Sequence, residues 1–118
     1  TDSPGAATFG DLAKAAGFKN GPFAMESYDA AALMLLAMEA TKSSDSQVYK
    51  FAIDEIANAP GEKIYPGELG KALDLVKAGK DIDYVGASAV ELVGGGESAG
   101  NYAQIEVKSG KNETVAYR

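Results

Sequence analysis

The sequence predicts an α/β protein whose first two thirds are helical and whose C-terminal third is rich in β-strands. Residues 30–38 hold no polar side chain, and they consist of Ala, Leu and Met, which are strong helix formers. Stretches within 48–56 and 69–76 carry apolar residues at the spacing of a helix that buries one face. From residue 90 onward apolar and polar residues alternate, which indicates strands.

The N-terminal part is predicted to run helix, strand, helix, an α/β rhythm. Thr8 can cap a short helix that Gly17 ends, and residues 19–22 form a turn. Residues 23–25 are predicted as a short strand leading into a central helix over 26–40. Because residues 30–38 are apolar on all sides, we expect this helix to be buried on more than one side. Ser27 or Asp29 is expected to cap its first turn.

Two more helices are predicted in the middle of the chain. Ser44 and Gln47 match a capping box, and residues 58–61 stop the helix that follows. Another helix starts at Pro66, a favourable first position, and ends at Gly79. The predicted buried stripes of these two helices are Val48, Phe51, Ala52 and Ile56, then Leu69, Ala72, Leu73 and Val76.

The last third is predicted as turns and short strands. Residues 80–83 are read as a turn, and the glycines at 94–96 as the turn of a hairpin that follows Leu92. Residues 102–107 alternate in polarity and form a strand. A turn at 109–112 then lets residues 114–117 pair back as a final strand.

Composition excludes several classes of function. The chain has 118 residues, the size of one domain at most, and a net charge of −6. It has no basic cluster, which argues against nucleic acid and anionic lipid as partners. The apolar run is too short to span a bilayer, so we expect no direct membrane insertion. The chain has no Cys and no His, which removes the thiol nucleophile, the commonest general base and the commonest zinc ligands.

The remaining motifs are incomplete, so we expect no metal, cofactor or catalytic residue and no enzymatic activity. Asp81 and Asp83 lack the further oxygen ligands of a calcium loop, so a solvated turn is the better interpretation. The glycines at 94–96 lack the Lys and Ser or Thr of a phosphate loop. Residues 112–114 match a glycosylation acceptor, a pattern with a high chance rate.

Several runs together resemble one family. They are YDAA at 28–31, PGEKIYPGEL at 60–69, KAGKDIDYVGAS at 77–88, and GNY at 100–102 with KSGK at 108–111. In these runs the chain resembles the C-terminal part of type I periplasmic substrate-binding proteins of branched-chain amino-acid ABC transporters. It departs from the pattern at Leu92 and Val93, where relatives usually carry an aromatic residue and an Asp before the hairpin turn.

The resemblance implies a three-layer α/β lobe fragment of a two-lobed fold that binds its ligand between the lobes. Residues 1–118 would be a single partial domain, in which 1–101 belong to one lobe, 102–107 form a hinge-crossing strand and 108–118 are a tail for the second lobe. Phe23 matches an aromatic residue that packs on the ligand side chain, although a core position in the short strand explains it equally well. The implied hinge residues are Tyr102, Ala103, Gln104, Ile105, Glu106 and Val107.

The resemblance also implies the function. The chain would be part of a solute-binding component for branched-chain or related amino acids or amides that delivers its solute to a membrane permease. It would be periplasmic or lipid-anchored outside the cell, and the absence of an initiator Met suggests a processed product or a piece of a longer chain. The alternative is a stand-alone, non-catalytic α/β interaction module derived from such a lobe. We expect the isolated chain to self-associate, because the lobe's sheet would be missing.

Overall fold

The computed structural model describes residues 2–100 and 102–118. Thr1, at the start of the predicted first lobe, and Asn101, within the GNY run, lie outside the described residues. The helices are α1 (Ala6–Ala15), α2 (Ala24–Thr41), α3 (Ser46–Tyr49), α4 (Ile53–Ala57) and α5 (Leu69–Lys77). The strands are β1 (Glu62–Ile64), β2 (Ile82–Tyr84), β3 (Leu92–Gly94), β4 (Glu97–Ser98), β5 (Ala103–Lys108) and β6 (Lys111–Tyr117).

The predicted fold class is confirmed. Helices dominate the first part of the chain, and four of the six strands found among the described residues follow residue 90. The helix ends predicted at Gly17 and Gly79 are also found. Both glycines have positive φ, and the residue after each donates its N–H back into the last helical turn. This is the usual way in which glycine closes a helix.

The main core is built around α2, which packs against α4 and α5. Leu36 and Ala37 of α2 are fully buried, and their neighbours include Ile56 of α4 and Ala72 of α5. The other buried members of this cluster are Ala32, Leu33, Ala57, Ile64, Ile82 and Tyr84. Burial of these apolar side chains is the main favourable term for this part of the fold.

Strands β1 and β2 form a parallel pair at the base of this core. Glu62 pairs with Ile82 and Ile64 with Tyr84, and α5 makes the connection between the two strands. A parallel pair needs such a crossover, because a tight turn can join only antiparallel strands.

The C-terminal strands form two antiparallel hairpins. In the first, Gly95 and Gly96 both have positive φ between β3 and β4, which suits the turn that matches the twist of paired strands. The interpretation of the glycine run as a hairpin turn is therefore confirmed. The Asn58 side chain donates to the backbone oxygen of Leu92 and accepts from its N–H, at 2.8 and 2.9 Å. These two bonds attach the hairpin to the end of α4.

Hairpin β5–β6 is amphipathic and exposed. All of β5 is exposed, as is all of β6 except Ala116. Strand alternation and register place Ile105, Val107 and Tyr117 on one face. The other face carries polar pairs, including the ion pairs of Lys108 with Glu106 and Glu113 at 3.5 and 3.7 Å.

Two predictions about α2 and the residues before it are wrong. Residues 23–25 are not a strand: Phe23 precedes the first helical residue, Ala24, in a left-handed conformation. The helix is also not buried on more than one side: its buried residues share one face, and Leu35 is 50% exposed and Met34 is 40% exposed. Its buried residues lie on the face toward α4 and α5, while the opposite face of the apolar run meets solvent.

Several other boundaries differ from the prediction. Helix α1 begins at Ala6, before Thr8. The helix predicted after Ser44 is interrupted by a 3-10 turn over Lys50–Ala52, and Asp45 caps it by accepting from the N–H of Gln47. Phe51, predicted to be buried, is 77% exposed.

The segment around α5 also differs. Helix α5 begins at Leu69, three residues after the predicted start at Pro66, and the Glu68 side chain accepts from the N–H of Tyr65. Strand β1 was not predicted, and residues 82 and 83, predicted as part of a turn, belong to β2. Within the described residues, no helix is both long and apolar enough to cross a membrane.

The difference between the two faces of α2 yields a stability prediction. Leu36→Ala should lower the free energy of unfolding by about 2–5 kcal/mol, because Leu36 is fully buried. Leu35→Ala should cost less than about 1.5 kcal/mol, because half of Leu35 already meets solvent. Urea denaturation of both variants measures the difference. Equal losses would contradict the assignment of Leu36 to the core and Leu35 to the surface.

Candidate functional site

Phe23 lies on the surface in a constrained turn. Its φ is 60°, in the left-handed region that residues other than Gly seldom adopt. Ala24 N–H donates to the Gly21 carbonyl oxygen at 3.2 Å, and Ser27 N–H donates to the Phe23 oxygen at 3.0 Å. The side chain is 76% exposed. Phe23 is therefore not a core residue, which was the alternative explanation for it.

Phe23 borders an apolar groove between α1 and the start of α2. The groove has a volume of about 670 Å³, within the range of about 300–1,000 Å³ typical of small-molecule sites. Its apolar lining includes Phe9, Leu12, Phe18, Pro22, Phe23 and Tyr28. The rings of Phe9 and Tyr28 lie 5.3 Å apart and tilted, an arrangement that aromatic pairs prefer.

A second, smaller depression also borders Phe23, and we call it the hollow. Its volume is about 230 Å³, and its walls are Phe23, Glu26, Tyr102 and the segments 88–90 and 98–100. The structure thus brings the predicted ligand-binding residue, Phe23, and the first predicted hinge residue, Tyr102, to one depression. The other predicted hinge residues, 103–107, lie in exposed strand β5 and are not among the residues lining the hollow.

Tyr102 is held at the hollow by its backbone and by a neighbouring glycine. Its N–H and carbonyl oxygen both pair with Arg118, at 2.8 and 2.9 Å, which extends the β5–β6 ladder by one pair. A Cβ on Gly100 would overlap the Tyr102 ring. The ring therefore lies directly against the backbone of Gly100, and its position depends on a residue without a side chain.

The loop over residues 85–90, which forms another wall, is fixed by the buried side chain of Asp29. Asp29 is 1% exposed, and its Oδ1 accepts from Tyr84 Oη at 3.0 Å and Ala87 N–H at 2.8 Å. Its Oδ2 accepts from the N–H and Oγ of Ser88, at 2.8 and 2.6 Å. The loop closes on itself through a 2.9 Å bond from Val90 N–H to the Val85 oxygen.

The expectation that Asp29 caps α2 is wrong. Asp29 lies beyond the first turn, and its carboxylate bonds to the loop after β2. The sequence did hold a signal for this role, since Leu33 and Leu36 follow at the four- and seven-residue spacing of one helical face. An acidic residue on the buried face must find donors within the fold.

Burial raises the pKa of the Tyr84 phenol well above its ordinary value. The charge of the Asp29 carboxylate and its hydrogen bond to the phenol raise that pKa further. The phenol therefore stays protonated through the neutral range and continues to donate to Asp29. The side chains of α2 and β2 remain joined by this bond.

The described residues show no cluster of side chains suited to binding a metal ion. Among residues 2–100 and 102–118, no group of three or more His, Cys, Asp or Glu side chains could hold a metal ion. Asp83 lies in β2 and Asp81 directly precedes it. The expectation of no metal, cofactor or catalytic residue stays a prediction.

No protein-family model matches the chain. The chain is similar to the chemotactic signal transduction system substrate-binding protein BasB of Halobacterium salinarum, with 34% identity over 67 residues. That alignment covers 57% of this chain and 16% of the relative. The chain is thus similar to part of a substrate-binding protein. No solved structure matches it.

The Asp29 carboxylate yields a second stability prediction. Asp29→Ala should lower the free energy of unfolding by at least about 2 kcal/mol, because each buried donor left without a partner costs about 1–3 kcal/mol. Asp29→Asn keeps the size but places an amide group against donors, so it should also destabilise. The control Asp74→Ala, at an exposed position of α5, should change stability by less than about 0.5 kcal/mol. Thermal and urea unfolding provide the comparison, and equal effects at positions 29 and 74 would disprove the role of Asp29.

Proposed function

We propose that this chain is part of a solute-binding protein and that it contributes one wall of the binding site, centred on Phe23. The observation that carries the proposal is the exposure of Phe23 in a left-handed turn between the groove and the hollow. Residues in strained backbone conformations cluster at functional sites, and an exposed aromatic ring offers a large apolar contact surface. The similarity to BasB, a substrate-binding protein, supports this role.

The groove fits a solute with an apolar side chain. Its walls are mainly apolar, with Lys19 and Ser27 as polar members. A solute of this kind would pack on Phe23, as the resemblance to branched-chain amino-acid receptors implies. The proposed solutes are therefore branched-chain or related amino acids, amides and small acids. Enclosure on the opposite side would come from a second lobe, with residues 102–107 as the crossing strand of the type I fold.

The bound solute would be delivered to a partner. The resemblance points to the permease of an ABC transporter, and hence to a periplasmic or lipid-anchored extracellular protein without enzymatic activity. The name of BasB refers to chemotactic signal transduction, which favours a signalling protein as a second candidate recipient. In either case the chain itself would perform binding and no covalent chemistry.

Titration of the ¹⁵N-labelled chain with leucine, isoleucine and a neutral amide tests the proposal by NMR. We expect shifts at Phe23, Ala24 and the residues lining the groove, with millimolar or weaker affinity because a single wall encloses little of the ligand. Phe23→Ala should weaken binding by about 5- to 30-fold, since an apolar contact worth roughly 1–2 kcal/mol is lost.

The matched control is Phe51→Ala, because Phe51 is 77% exposed and lies outside the lining of both depressions. It should leave the affinities unchanged. Absence of shifts with every solute would disprove solute binding by this wall. Micromolar binding would instead show that the chain encloses a whole site, and the partial-lobe assignment would then be wrong.

The stand-alone interaction module remains the second candidate, because hairpin β5–β6 exposes an apolar face. Ile105 is 56% exposed and Val107 is 73% exposed. Exposed apolar patches and open strand edges promote association, so the isolated chain should self-associate in light scattering as its concentration rises. Ile105→Lys should restore a monomer, whereas Lys111→Glu, an exposed charge change in the same hairpin, should not. A monomer at millimolar concentration would contradict this prediction.

A further inference from the structure

We propose that the hollow between Phe23 and Tyr102 binds an alkylated ammonium group. This inference names a ligand chemistry for one part of the site and rests on the proposed solute-binding function. The hollow's volume of about 230 Å³ is below that of complete small-molecule sites. It therefore suits a compact head group, while the rest of a ligand extends into the groove or the solvent.

Two aromatic side chains and one carboxylate define the chemistry of the hollow. Phe23 and Tyr102 both line it and are 76% and 71% exposed, so their rings are accessible to a ligand. Glu26 is the only charged residue among the described residues that line it. Aromatic faces attract cations, most strongly those that shed water easily. The negative charge of the Glu26 carboxylate also attracts a cation.

The aromatic walls of the hollow favour an alkylated cation over a primary ammonium. Ser88 Oγ donates to Asp29 Oδ2 at 2.6 Å. Ser98 Oγ lies 3.2 Å from each of the carbonyl oxygens of Glu91 and Ala99. Both serine hydroxyls thus donate within the fold and keep only acceptor lone pairs toward a ligand. A primary ammonium is strongly hydrated, so it loses more solvation when it leaves water for aromatic faces. An alkylated ammonium group needs fewer hydrogen bonds or none, and it gains most from aromatic contact.

The walls of the hollow are held in place before any ligand arrives. Phe23 and Ala89 both have left-handed backbones, with φ of 60° and 58°, and the Tyr102 ring rests on Gly100. The loop that carries Ala89 is fixed by the Asp29 hydrogen bonds. Preorganised walls lower the entropy cost of binding.

The test compares choline with 3,3-dimethyl-1-butanol, which has the same shape but a carbon in place of the charged nitrogen. NMR titration of the labelled chain at constant ionic strength, with sodium chloride as the salt control, measures both affinities. Choline should shift the resonances of residues 88–90 and of Gly100 and bind at least about fivefold more tightly than the alcohol.

The variants separate the contribution of the aromatic ring of Tyr102 from that of the Glu26 carboxylate. Tyr102→Leu should weaken choline binding by about 2- to 30-fold, and Tyr102→Phe should retain it. Glu26→Gln should weaken it by about 2- to 5-fold. Phe51→Leu, at an equally exposed ring that lies beside the Lys50 ammonium instead of the hollow, should have no effect. All three substituted positions are exposed, so the dispersion of the NMR spectrum should remain that of the parent.

The outcomes distinguish this inference from the proposed function. If the alcohol binds as well as choline, or if Tyr102→Leu and Glu26→Gln leave choline affinity unchanged, the ammonium site is disproved. If amino acids still shift the groove residues in that case, the solute-binding function stands. If neither choline nor any amino acid or amide shifts the spectrum, both proposals are wrong.

Discussion

The fold depends on one buried carboxylate that joins its central helix to the loop after β2. Asp29 is almost completely buried, which would be costly for a charged group without donors. Tyr84, Ala87 and Ser88 supply four hydrogen bonds to its two oxygens. Bonds to a charged acceptor are stronger than neutral ones. They therefore fix the loop against α2 in a way that apolar packing, which is not directional, could not.

The same loop is held from its other side by the N-terminal segment. The Ser3 hydroxyl donates to the carbonyl oxygen of Ala87, and a Cβ on Gly5 would overlap the carbonyl oxygen of Gly86. A Cβ on Gly86 would in turn overlap the Asp29 carboxylate. Glycine at both positions lets the N-terminal backbone approach the loop, and the loop backbone approach the Asp29 side chain. The start of α1, the loop and α2 are thus connected to one another. The groove lies between α1 and the start of α2, and the hollow lies between the start of α2 and the loop.

Sequence periodicity predicted the helices and turns, which depend on repeated patterns. It missed features that depend on single contacts between residues distant in sequence. The helical first part, the hairpin turn at the glycine run and the glycine helix ends followed from spacing and backbone preference. Strand β1 was missed because its three residues include one buried side chain, Ile64, too few for a visible alternation. The role of Asp29 was missed because an acidic residue near a helix start also suits a cap. The positive φ of Phe23 and the exposure of its side chain were missed because nothing in the local sequence indicates a left-handed backbone for a Phe.

The buried network also explains how the chain tolerates unfavourable backbone beside the candidate site. Left-handed conformations of residues other than Gly cost of order 1–3 kcal/mol each, and Phe23 and Ala89 both line the hollow. Ala89 directly follows Ser88, whose N–H and hydroxyl are bound to Asp29. The strain at Ala89 is therefore offset by bonds one residue away, whereas Phe23 is fixed through the first turn of the helix that carries Asp29. A side chain deep in the core thus sets the shape of a surface depression, because the helix and the loop that it joins each carry one strained wall residue.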